Sequence, residues 1–374
     1  MTPWIPQPDP LPLPGPPWLF TALLLLTFFL HLIAMNLVVG GTLIALTAAV
    51  RARTSEMART LAVSISALLP VGIAGAVTLG VAALLFLQVL YGRVFFASSV
   101  LMAVWWLAVV PLLITGYYAA YGAAHNADRP ISRVRNRLAV VAVAFVAIAV
   151  IYTTNMTLML RPAEFIVLFQ RSARGLHGNA GDPTFVPRLA HTLLSALAVT
   201  GLAIALTGLT VRRTDPARGG WMIRHGARWF TGSTVCNLAV GVAWLGMLPV
   251  GTVYALLGGQ LVPTLVLAGG SVAGLAALFL MLGTAFGDAR PARIPLAAGC
   301  LALAIALMTL TRDFVRHAAL SAAGFIPVTW SAPQWGPIAI FFVLLAGSVG
   351  LVAWMVWQLT HSRPAVRPEE TKAA

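Results

Sequence analysis

Long apolar runs, each broken by arginines, prolines or glycines, divide the chain into nine segments at about 18–50, 60–90, 96–122, 138–160, 188–211, 227–248, 257–286, 295–314 and 336–360. Each reaches roughly the 20 residues that a helix rising about 1.5 Å per residue needs to cross a bilayer core. The polar stretches between them are short, so no separate soluble domain fits. The pattern predicts an all-α integral membrane protein of about nine transmembrane helices, with residues 18–361 as the membrane domain. Residues 1–17 contain eight prolines and no basic residue. That is the wrong charge pattern for a cleaved secretory signal, and the stretch reads as an extended segment leading into the first helix. Residues 362–374 read as a polar tail.

Composition agrees with this pattern. Of 374 residues, 59% are hydrophobic and only 9% charged, against about 25% charged in soluble domains. The net charge of +14 would point towards nucleic acid in a soluble chain, but its placement gives it another meaning. Arg93, Arg161, Arg171, Arg174, Arg188, Arg312 and Arg316 fall on the side of the N-terminus, and the remaining 17 of the 24 basic residues fall on the other. The positive-inside rule then predicts a periplasmic N-terminus and a cytoplasmic C-terminus in a bacterial inner membrane, as an odd number of spans requires. The surplus is topogenic. The first partner is the lipid bilayer and no nucleic acid is expected. The longer outer connections, 161–187 and 315–335, are where a periplasmic partner would dock.

Cys236 and Cys300 both lie in apolar runs, so neither a disulfide framework nor a cysteine zinc site is readable. With no C-x-x-C-H sequence, any haem would be held non-covalently. No internal repeat is visible, which counts against a secondary transporter.

Ionisable groups inside hydrocarbon are costly and therefore informative. Of the seven histidines, His125, His225 and His361 lie among the Arg clusters of the inner side and His177 in an outer connection. His31 lies about 13 residues into the first run, and His191 about one turn inside the fifth. A neutral imidazole can bind haem iron through one ring nitrogen while the other is hydrogen-bonded; equally, it can be a hydrogen-bonded helix contact. Met156, Met159 and Met247 lie in the same outer half and could supply thioether ligands, or could simply fill the core. The eighth run closes on Thr311-Arg312-Asp313-Phe314-Val315-Arg316-His317. These residues can be an interfacial anchor, or a quinone headgroup site in which Asp313 takes a proton beside Arg312, Arg316 and His317. Glu164, in the outer connection, is the second candidate acceptor.

These features resemble subunit I of the cytochrome bd quinol oxidases, a nine-span family with its N-terminus outside. In that family a haem-ligating His in the first span is followed nine residues later by Gly, as His31 is by Gly40 here. A His-Thr pair opens the fifth span, as His191-Thr192 does here. The sequence Asn155-Met156-Thr157-Leu158-Met159-Leu160-Arg161-Pro162 looks like a relative of the family's Asn-Gly-Trp-Met-Gln-Asn-Pro. Residues 96–122 carry no acid where the family has glutamates serving the oxygen-reducing haems. Arg316-His317-Ala318 stands where the family has Gly-Arg-Gln-Pro-Trp, and the quinol loop shrinks to about 248–257. No Met between Gln260 and Leu280 matches the family's seventh-span haem ligand.

The resemblance implies a bd-like bundle that has lost the oxygen-reducing centre. It implies haem b on His191 and His31, a quinone site, and electron transfer between the quinone pool and a periplasmic c-type cytochrome or other redox subunit. The chain would then work with other membrane subunits in a complex of the quinol:cytochrome c oxidoreductase type. The alternative is a haem-free membrane anchor that keeps the fold and holds a respiratory complex together.

Overall fold

The computed structural model describes residues 12–125, 130–287, 290–325, 327–328 and 330–361. Most of the proline-rich segment, the tail 362–374 and Arg129 lie outside the described residues. The chain folds into helices α1 (Pro17–Arg51), α2 (Glu56–Leu101), α3 (Ala103–Ala124), α4 (Ile131–Leu158), α5 (Phe165–Arg171), α6 (Phe185–Val211), α7 (Pro216–Gly246), α8 (Val250–Tyr254), α9 (Leu261–Phe286), α10 (Arg293–Ala322) and α11 (Trp335–His361). Among the described residues, eight helices are long and apolar enough to cross a membrane: α1 to α4, α6, α9, α10 and α11. The protein is thus a multi-pass helical membrane protein.

The ninth expected span is α7, whose polar residues leave it outside that group although it is 31 residues long. Its packing shows why it still runs the length of a spanning helix. Asn237 Nδ2 donates to Ser195 Oγ at 2.9 Å, and the backbones of Gly201 and Gly226 press together. Further along, Gly208 meets Gly219 and Ile223. This antiparallel register covers nearly all of α6. A Cβ on Gly226 would lie 2.4 Å from the Gly201 carbonyl oxygen, so only glycine permits the approach. Small residues at such interfaces let dispersion act between backbones where lipid offers no hydrophobic drive.

Two boundaries differ from expectation. The second and third apolar runs divide at Met102 and not around Arg93, because α2 continues for 46 residues through a kink at Tyr91, whose φ and ψ are −125° and 19°. The eighth span does not close at residue 314. It continues to Ala322, so Arg312–His317 lies inside α10 rather than at its end.

The described residues divide into two units, one formed mainly within 20–327 and the other within 12–19 and 328–361. In the second, Leu13 pairs with the strand-like segment beside α11: its N–H donates to the Trp330 carbonyl at 3.1 Å and its carbonyl accepts from Ala332 at 2.9 Å. In the first, α1 packs antiparallel to α2 and crosses α6 at Gly40, where a Cβ would lie 2.0 Å from the Ala196 carbonyl oxygen. Thr200 Oγ1 donates to the Asn36 carbonyl beside that crossing.

Candidate functional site

The N-terminal part of α7 lies at the C-terminal end of α1, where Trp221 and His225 share a cavity with Thr47 and Arg51. Since α6 is antiparallel to α7, α6 runs parallel to α1. His31 and His191 therefore both precede the Gly40 crossing, towards the same end of their helices.

The two histidines have matching surroundings. His31 Nδ1 donates to the Ala76 carbonyl of α2 at 2.9 Å, which places the neutral ring's lone pair on Nε2. The ring lies against Gly80, where a Cβ would come within 2.7 Å of Cε1. Phe28 stands beside it with ring centroids 6.4 Å apart, and the Arg312 guanidinium covers the Phe28 ring at 4.6 Å. His191 faces Gly241 of α7, where a Cβ would be 3.5 Å from Cε1. Trp244 stands beside it at 5.7 Å, and the Arg188 guanidinium covers the Trp244 ring at 5.0 Å. Each imidazole thus has a glycine opposite and an arginine–aromatic stack alongside. His191 differs in one respect, because its ring is held by a looser contact with the backbone of Asn237 in α7 rather than by a close hydrogen bond.

A second arrangement lies within the last turns of α10, against the kink of α2. His317 Nδ1 faces two acceptors, the Asp313 carbonyl at 3.0 Å and the Asp313 carboxylate at 3.3 Å, so Nδ1 carries the hydrogen. Nε2 then accepts from the Tyr91 hydroxyl at 3.0 Å. Arg316 pairs with the other Asp313 oxygen at 2.8 Å and covers the Tyr91 ring at 4.8 Å. The result is a Tyr91–His317–Asp313 hydrogen-bonded chain with Arg316 closing it. Asp313 and Arg316 side chains are each 12% exposed and that of His317 is 42% exposed. The imidazole, not the carboxylate, is the accessible member.

The other expected residues go elsewhere. Glu164 pairs with Arg161, which also donates to Asn179 at 3.1 Å; Asn179 Nδ2 in turn donates to Thr157 at 3.0 Å. Glu164 therefore belongs to a separate loop network. Met159 is buried in an apolar cluster with Leu24, Leu87 and Phe165, and Met156 packs against it. His191 has other neighbours, Gly241 and Trp244. Met247 follows the last residue of α7 and is half-exposed. Asn155, within the family-like motif, ties α4 to α2 through Ser98 and Ser99 at 3.0 and 2.9 Å.

Sequence reasoning missed Tyr91, Gly80, Gly241 and the two arginine–aromatic stacks. Arg188 had a local signal, since it lies one turn before His191 on the same helical face. Tyr91-Gly92-Arg93 interrupts an apolar run, but its partner is 226 residues away.

Comparison with known proteins gives a likeness in structure alone. The fold resembles a bd oxidase. Specifically, it is similar to the bd oxidase from Geobacillus thermodenitrificans with a TM-score of 0.71, over 92% of this chain and 98% of that one, at 12% sequence identity. No protein-family profile matches the sequence, and no curated protein sequence matches it. At that identity the likeness establishes the bd oxidase-like helical fold.

Proposed function

We propose that this protein is a membrane electron-transfer subunit, bd-like in the manner of subunit I, that carries haem b and oxidises or reduces quinone at the Tyr91–His317–Asp313 chain. The observation that carries the reading is the repeated surrounding of His31 and His191. A neutral imidazole with a defined lone pair is a ligand for haem iron. Gly80 keeps a side chain off the His31 ring, Gly241 leaves only ordinary contact beside His191, and Arg188 and Arg312 supply positive charge suited to the carboxylates of a haem. Among the described residues no cluster of three metal-ligating side chains occurs, which leaves isolated axial ligation as the mode that fits. Haem b, when bound, would supply a one-electron carrier.

Quinol oxidation releases two electrons and two protons, so the site needs a base within reach of a phenolic hydroxyl. His317 Nε2 carries the lone pair and already accepts an O–H from Tyr91. A quinol hydroxyl that displaced the Tyr91 hydroxyl there would pass one of its two protons to Nε2, and the second would follow once the first had been released. Asp313 orients the ring through Nδ1 and balances the imidazolium, while Arg316 pairs with Asp313 and holds it in place. Asp313 is thus a positioning residue and His317 the base. The predicted periplasmic orientation of this end would release protons outward, towards a c-type cytochrome or another redox subunit.

The test is the pyridine haemochrome spectrum of the purified chain together with that of His191→Ala. Loss of one b-type signal in the variant supports the reading. Unchanged haem content removes His191 as a ligand, and no haem in the folded parent chain favours the haem-free anchor.

A further inference from the structure

At the opposite, arginine-rich ends of α1 and α7 the chain surrounds a cavity of about 210 Å³ lined by Arg51, Ser55, Trp221, His225 and Arg228, among others. Its polar groups are arranged to donate. Trp229 Nε1 donates to His225 Nε2 at 3.1 Å, so the hydrogen of the neutral ring is on Nδ1. Trp221 stacks on the same ring at 4.5 Å and 10°, fixing its plane. Ser55 Oγ accepts the Ala58 N–H at the start of α2, which leaves its own hydroxyl hydrogen to donate. Arg228 is anchored through Nε, which donates to the Ala285 carbonyl at 3.2 Å.

Among the described residues the lining contains no carboxylate. Glu56 is turned towards Arg59, 4.0 Å away, and is 76% exposed. Asp215 accepts the Arg218 N–H at 2.9 Å and caps α7. Two guanidiniums, an imidazole N–H and a hydroxyl around one cavity suit a compact oxyanion. They do not suit a cation or an apolar guest.

We propose that this cavity binds a phosphate group through Arg51 and Arg228, with Ser55 and His225 completing the donors. It lies where α1 ends and α2 begins, beside Trp221, a residue type that settles at membrane interfaces. At that depth both a phospholipid headgroup and a phosphate from water have access.

The experiment uses the full chain, purified in detergent and stripped of lipid. It is titrated separately with phosphatidylglycerol, with a phosphate-free glucosyl diacylglycerol and with inorganic phosphate, and binding is read by native mass spectrometry and thermal shift. Phosphatidylglycerol binding above the glycolipid, undisturbed by millimolar phosphate, identifies a lipid headgroup. Phosphate binding by itself and displacing the lipid identifies the soluble source. In both cases the double variant Arg51→Gln/Arg228→Gln should weaken binding by about tenfold or more, as expected for lost charge-assisted hydrogen bonds. Ser55→Asp keeps an N-cap side chain while placing a carboxylate in the lining, and should weaken binding in a chain that still folds. Arg53→Gln, outside the cavity, should change nothing. Phosphatidylglycerol binding no better than the glycolipid with no phosphate binding, or binding unchanged in Ser55→Asp and the double variant, overturns the proposal.

Discussion

The Asp313 carboxylate shares its charge between Arg316 at 2.8 Å and the His317 ring, so its effect on a bound quinol runs through the imidazole. His317→Ala should lower quinol-dependent reduction of the partner by about 10²-fold, the lower end for general base catalysis, with haem content unchanged. Asp313→Asn should slow the same reaction because the amide can no longer balance an imidazolium; equal turnover in that variant would refute the positioning role. Tyr91→Phe removes one neutral hydrogen bond, worth about 1 kcal/mol, and should cost less than either; stopped-flow reduction with excess quinol ranks the three. His31, His191 and the Arg312–His317 cluster were legible in the sequence because ionisable groups in an apolar run carry a desolvation cost that demands a purpose. Tyr91, Gly80 and Gly241 were not, because a tyrosine or glycine in hydrocarbon costs little and its meaning depends on which distant helix faces it. The distinction between Asp313 as base and Asp313 as orienting group was likewise invisible without the two distances to His317 Nδ1.

Helices α6 and α7 owe their contact to glycines placed a heptad apart, Gly201 and Gly208 against Gly219 and Gly226. Gly226→Leu must push the Gly201 backbone away, and should lower the thermal midpoint of the detergent-solubilised protein and loosen His191, whose Gly241 and Trp244 neighbours belong to the same helix pair. A thermal scan with haem absorbance as readout checks both effects at once; an unchanged midpoint would deny the register. Gly80→Ala acts on α1 and α2 instead, since its Cβ would meet His31. It should disturb one haem signal and leave the His191 signal intact. The apolar pattern located each of the nine long helices among the described residues, α7 included, because hydrocarbon thickness sets the length of a span. It misplaced the end of α2, which at 46 residues is about 69 Å long and exceeds any bilayer core. Arg93 looked like a boundary but lies in the helix beyond the Tyr91 kink, and the α10 cluster looked terminal because charged residues ended the apolar count.

Across the whole molecule, the uneven distribution of basic residues predicts which end faces the cytoplasm, while the fold itself is indifferent to that choice. In a background of Cys236→Ser and Cys300→Ser, Arg171→Cys should react with a membrane-impermeant maleimide in intact spheroplasts and Arg133→Cys should not; the reverse pattern would invert the topology and the direction of proton release. The bd oxidase-like fold was legible from span number and from His31–Gly40 and His191–Thr192 spacing, and Gly40 proves to be where α1 touches the α6 backbone. What the helices hold between them follows from side chains that converge only after folding. The central claim is that this scaffold retains haem b on its paired intramembrane histidines. It is tested most directly by the pyridine haemochrome and reduced-minus-oxidised spectra of the purified full-length chain beside His191→Ala. The account predicts b-type absorption in the parent and the loss of one b-type component in the variant. A folded parent chain with no b-type absorption would contradict it.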